Sequence, residues 1–235
     1  MAKAPKRLPP KRRDSPHVAR AIRRHAVLLG EITYHWNALH SNLQMILAAL
    51  LGEAQSDGSY SLTLGLGIWQ ALKSDDAQRS VLRVAIQSKL AANKRLVESA
   101  LWLIDQTGRL AAYRNDVTHV PFTLVGTAEK IAFVPDRLFS DKNRLARLTS
   151  TGHTALFRAL RGDLTQLGNY ATFIWIAALT PSALIPLPRR LRLQSPRLVE
   201  RGQQKSQTRP QSLAKPKRQR RASPGKRKPR KGSGA

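Results

Sequence analysis

The chain is 235 residues long, 41% apolar, free of cysteine and charged to +27. That length fits one ordinary domain with tails or two small domains, and the missing cysteine excludes disulfides, cysteine-ligated zinc and thiol catalysis. The charge is concentrated at the ends: residues 1–25 carry 9 Lys/Arg against 1 acid and residues 186–235 carry 17 against 1, whereas residues 26–185 carry 15 against 12. This distribution describes a near-neutral globular middle with two basic arms.

In chain order, "MAKAPKRLPPKRRDSPHVAR" is basic but has no apolar h-region, so it is not a secretory signal, and residues 1–17 are expected to form a disordered basic arm. A long helix is expected over 18–51. Leu28, Ile32, Trp36, Leu39, Leu43, Ile46 and Leu50 recur every three or four residues and draw one apolar stripe. The glycine and small polar residues of "GEAQSDGS" end it. Residues 62–72 are ambiguous, because Leu62, Leu64 and Leu66 alternate as in a strand while two glycines weaken that reading; context favours a short helix. Two helices are expected over about 75–90 and 92–117, opened by Ser74, Asp75 and Asp76 and separated by a break near 91–93. In the second, Leu96, Ala100, Leu103, Leu110 and Val117 can face the core.

Pro121 stops that helix, and residues 120–135 read as a hairpin. A last helix over about 151–179 carries a stripe of Leu156, Leu160, Leu164, Leu167, Ala171, Ile174 and Ala178. The greasy segment at 170–187 is broken by Pro181 and Pro186 and is shorter than the roughly 20 apolar residues that span a bilayer, so no membrane partner is expected and the location implied is cytoplasmic. Residues 181–235, rich in Lys, Arg, Pro, Ser and Gln, cannot bury enough apolar surface to offset chain entropy and are expected to be disordered. The fold class is therefore all-α: a bundle of four to five helices with a small β-hairpin insert and basic disordered tails.

The segment "RLAAYRNDVTHVPFTL" places Arg114, Asn115 and His119 at the end of the second of those two middle helices. Metal-free RNA cleavage needs a group to take the 2′-hydroxyl proton, which histidine does near neutral pH, and a cation to hold charge on phosphorus, which arginine does with its planar fork. An amide can orient the phosphate. The same residues are also ordinary at a helix end, where cations complement the dipole and Asn favours the C-terminus, and both readings stand on spacing alone. Five positions of regular helix would set Arg114 and His119 roughly 140° apart, so they face one cleft only if the helix loosens at 117–119, and Pro121 is expected to bring that about.

"YRNDVTHV" after a helix, with the tryptophan-bearing "ITYHWNALHSNLQMILAALLG" upstream, resembles the HEPN family. The resemblance covers about residues 20–180 in layout. It implies an all-α bundle with an Arg–(four to six residues)–His motif, here Arg114 and His119 enclosing "NDVT", with Asn115 directly after the Arg. It further implies a metal-independent endoribonuclease or an RNA- or nucleotide-binding relative, often a homodimer in which two motifs meet. For a toxin-like nuclease, a cognate antitoxin-like protein is expected as well. Relatives commonly carry a glutamate after the first-helix tryptophan to pair with the Arg. The matching position here is His40, which leaves Asp116 or Glu31 to take that role, and Val120-Pro121 replaces the small residue commonly found after the His.

The C-terminal run "KPKRQRRASPGKRKPRKGSGA" is the second signal. Lys215, Lys217, Arg218, Arg220, Arg221, Lys226, Arg227, Lys228, Arg230 and Lys231 can neutralise phosphates and release counterions, giving sequence-independent, salt-sensitive binding to RNA or another nucleic acid. The run has no aromatic residue for base stacking, and a solubilising tail is the competing reading. His17, His25, His35, His40 and His153 show no His-x-x-x-His pairing, and no Gly-rich phosphate loop occurs, so no metal or other cofactor is expected. Three functions remain: a HEPN-like endoribonuclease using Arg114, Asn115 and His119, a non-catalytic nucleic-acid-binding helical module acting through its tails, and a helical interaction protein.

Overall fold

The structure is a computed structural model that describes residues 16–56, 60–126, 131–136, 141–150, 152–180 and 185–208. Helix α1, Pro16–Leu51, lies along α6, His153–Leu179, and this pair forms the spine of the molecule. Ile32, Trp36, Leu39, Leu43, Ile46 and Leu50 of the first stripe are buried, and Leu28 packs at its edge. All seven residues of the α6 stripe are buried. A polar tie crosses the spine, where Asn42 Nδ2 donates to Gly168 O at 2.9 Å and Thr172 Oγ1 at 3.2 Å.

Short strands β1 (Glu53–Ala54) and β2 (Tyr60–Ser61) pair after α1, and α2 (Thr63–Ala71) follows. The helical reading of 62–72 holds, and Gly65 shows why a glycine sits inside α2: a Cβ there would stand 2.5 Å from Ala48 Cα, so the two helices cross backbone to backbone. Helices α3 (Asp75–Lys89) and α4 (Lys94–His119) are separated at 90–93. Ser74 accepts from Ala77 N at 3.2 Å, and Asn93 accepts from Leu96 N at 3.1 Å, so each helix begins on a side-chain cap. Strands β3 (Phe122–Gly126) and β4 (Ile131–Pro135) form the expected antiparallel hairpin, with Phe122 opposite Pro135.

Two helices and the short β1–β2 pair are additions to the expected elements. Helix α5, Lys142–Ser150, is an addition, capped by Asp141, whose carboxylate accepts from Asn143 N at 2.8 Å and Arg144 N at 3.2 Å. Helix α7, Gln194–Thr208, lies where disordered chain was expected. Leu193, Ser195 and Val199 are buried, and Ile185, Leu187 and Leu191 pack against the core. The folded unit therefore extends past residue 180. The cause is a buried carboxylate in the middle of α6. Asp163 accepts from Gln194 N at 2.9 and 3.1 Å, from Ser195 N at 2.7 Å and from Ser195 Oγ at 2.6 Å. It satisfies first-turn N–H groups of α7 that would otherwise lack partners. No helix among the described residues is long and apolar enough to cross a membrane. The basic arm before residue 16 and the ten tail residues from Lys215 to Lys231 lie outside the described residues.

Candidate functional site

Arg114 and Asn115 stand on the last turns of α4, facing α1. Arg114 Nη1 donates to Asn115 Oδ1 at 3.1 Å, and the guanidinium lies over Trp36, 5.7 Å from its ring centre. That separation places the cation on the ring face, where the π-electrons attract it. Arg114 Nε is buried and has no hydrogen-bond partner. Neither carboxylate expected to hold this arginine does so. The Asp116 carboxylate is buried and accepts from Arg147 of α5 at 2.5 and 2.9 Å, with Arg144 at 3.7 Å. The hydrogen bond from Arg147 to Asp116 raises the arginine's already high pKa despite opposing burial. Glu31 pairs with Arg161 at 2.9 Å.

The expected convergence of Arg114 with His119 is corrected by the helix itself. α4 runs unbroken through His119, and Val120 N still donates to Asp116 O at 3.2 Å. Pro121 takes effect one residue later than the convergence requires. Regular geometry then holds the two side chains roughly 140° apart, with His119 exposed and Arg114 half-buried.

One turn along α1 from Trp36, His40 packs on that indole with ring centres 4.6 Å apart. Its Nε2 stands 2.7 Å from Asp75 Oδ1, close enough for an ion-pair contact but not directed as a full hydrogen bond. Arg79 reaches the other oxygen of Asp75 at 2.5 Å. Burial pulls the Asp75 carboxyl upward, but His40 and then Arg79 outweigh it and hold it below the ordinary carboxylate value. His40 thus pairs with an α3 carboxylate and does not extend the Arg114 constellation.

A second constellation joins residues that the sequence keeps far apart. Between the start of α1, strand β4 and the start of α6 lies a cavity of about 380 Å³. α1 contributes His17, Arg24 and His25, and α6 contributes His153 and Arg158. Aromatic rings make one wall: His25 stacks on Phe133 at 4.3 Å and 10°, and Phe157 lies 5.5 Å from the same imidazole. His153 is 6.1 Å from His25 between ring centres. Burial lowers the pKa of His25; burial, and then the neighbouring His25, lowers that of His153. Among the described residues no acidic side chain lines the cavity, and no group of three or more His, Asp or Glu is disposed to hold a metal. Each histidine viewed alone in the sequence gives no sign of this cluster, because the fold alone brings positions 25 and 153 together.

The two lowered histidines have a consequence for stability. Unfolded imidazoles titrate near 6.5, above their folded counterparts, so on acidification the unfolded chain takes up protons first. Their contribution is complete above pH 6.5 and is lost as pH falls through the folded values. The melting temperature is expected to drop between pH 7.5 and pH 5, and His25→Phe and His153→Gln should each flatten that drop in differential scanning calorimetry. A parallel pH dependence in both variants would remove the histidines as its source.

No protein-family model matches the chain, and no match was found among curated proteins or among solved structures.

Proposed function

We propose that this chain is a helical RNA-binding module whose folded core presents one basic end to the strand and whose arms add phosphate contacts. The supporting observation is a set of exposed arginines. Arg20, Arg23 and Arg24 on the first turns of α1 and Arg158 on α6 are exposed and have no carboxylate partner among the described residues. Seven other arginines, such as Arg83 with Asp105, are paired. Unpaired guanidiniums beside a basic arm attract phosphates and release their counterions. Fluorescence anisotropy with a labelled single-stranded RNA tests this: log Kd should rise linearly with log salt, and absence of binding at 50 mM salt would refute the reading.

A second reading, the HEPN-like endoribonuclease, is favoured by one observation, the buried and unpartnered Nε of Arg114 beside Asn115. Within one chain His119 stands away from that guanidinium, so this reading requires a homodimer in which the partner supplies the histidine. RNA cleavage lost in both Arg114→Ala and His119→Ala, and restored when the two variants are mixed, would support it. Uncleaved RNA with the unaltered protein would reject it.

A further inference from the structure

We propose that the cavity between α1, β4 and α6 seats one nucleoside monophosphate, with the phosphate held by Arg24 and Arg158 and the base against the Phe133–His25 wall. This inference rests on the RNA-binding reading and gives it a defined contact.

The size, charge and shape of the cavity support this assignment. At about 380 Å³ it lies in the range of roughly 300–1,000 Å³ typical of small-molecule sites. That is space for one nucleotide and too little for a duplex. Two guanidiniums line it with no carboxylate among the described residues to neutralise them, so the ligand that complements it is an anion. Arg24 and Arg158 have no ion-pair or hydrogen-bond partner among the described residues, and both are free to make bidentate bonds to phosphate oxygens.

The same cavity is lined by flat apolar surface. Phe133 and Leu28 are half-buried and line it, and the His25 ring lies parallel to Phe133. Inorganic phosphate would leave that surface unused, whereas a nucleobase would cover it, and stacking of a base on an aromatic platform is worth about 1–3 kcal/mol by alanine substitution. His153 and Thr154 contribute side-chain polar groups, with Thr154 Oγ1 3.2 Å from His153 Nε2. These can bond a base edge or ribose. Beneath these groups Phe157 is fully buried, and Phe122 of the hairpin packs edge-on against it with ring centres 5.7 Å apart.

The test uses the full chain and three small probes, adenosine monophosphate, adenosine and inorganic phosphate, titrated by isothermal calorimetry, together with competition against a labelled single-stranded RNA. Adenosine monophosphate is expected to bind saturably and more tightly than either fragment. Arg24→Gln/Arg158→Gln is expected to weaken it at least about tenfold, the loss of one or two charge-assisted bonds. Arg192→Gln/Arg197→Gln removes the same charge elsewhere on the surface and should leave it unchanged. Displacement of the RNA by the mononucleotide would place a strand's nucleotide in the cavity. Mononucleotide binding without displacement would make the ligand a free nucleotide and leave the cavity assignment standing. Equal losses in the two double variants, or phosphate binding as tightly as the mononucleotide, would overturn the assignment. RNA binding that persists while the mononucleotide fails to bind would overturn it alone. Absence of RNA binding would instead strike the RNA-binding reading.

Discussion

Ending the chain at residue 208 is expected to leave its melting temperature unchanged within about 2 °C while weakening binding to single-stranded RNA by about 100- to 1,000-fold at 0.1 M salt. Ending it at residue 185 is expected to abolish cooperative melting. The first expectation follows from charge. Residues 209–235 carry 11 Lys/Arg and no acid. On single strands the slope of log K against log salt changes by about 0.7 for each phosphate neutralised, so engaging about three or four of those charges is worth roughly two to three decades at 0.1 M. The second expectation follows from packing. The longer deletion removes buried Leu193, Ser195 and Val199 with half-buried Leu187 and Leu191, and leaves Asp163 buried without its α7 donors. Each buried apolar side chain contributes about 1.5–3 kcal/mol, and an unpaired buried carboxylate costs more again. Together these approach the roughly 5–15 kcal/mol of a whole domain. Circular dichroism melts and anisotropy titrations of the two truncations separate the effects. If the shorter chain melts like the full one, α7 contributes nothing to the core; an unchanged salt slope after the 208 truncation would show that the tail touches no phosphate.

That contrast marks where the sequence is informative. The stripes of α1, α4 and α6 are legible because burial repeats at the helical period, and every α4 position expected to face the core does so. α7 is not legible in that way. Its composition is that of a solvated tail, and its first turn is satisfied by Asp163, 31 and 32 residues earlier. A local sign exists in Ser195-Pro196, a pair suited to a helix start. α5 carries a plainer one, since Asp141 is its cap and Leu148 its buried anchor. At the candidate sites the residue types in "YRNDVTH" are readable but their partners are not. Asp116, two positions after Arg114, turns its carboxylate to another helix, and the cavity histidines come from opposite ends of the domain.

Asp116→Ala is expected to lower stability by about 2 kcal/mol and the melting temperature by roughly 4–8 °C, with little effect on RNA affinity. Asp116 is 1% exposed and receives both Arg147 bonds, so its removal deprives a guanidinium of its carboxylate and loosens α5 from the end of α4. Loss of one partner of a fully buried pair costs about 3–5 kcal/mol. The lower figure applies here because the Arg147 side chain is 27% exposed and regains part of its hydration. Asp116→Asn should cost nearly as much, since an amide keeps the volume but turns one N–H toward the arginine. The double variant Asp116→Leu/Arg147→Met distinguishes the two roles open to the pair. Recovery of the melting temperature would mean that apolar packing replaces the charges and that their value lies in placing α5. A further loss would mean that the pair is net stabilising. RNA affinity falling along with stability in Asp116→Ala would connect this pair to the Arg114 side of α4, and unchanged affinity would confine Asp116 to holding the fold.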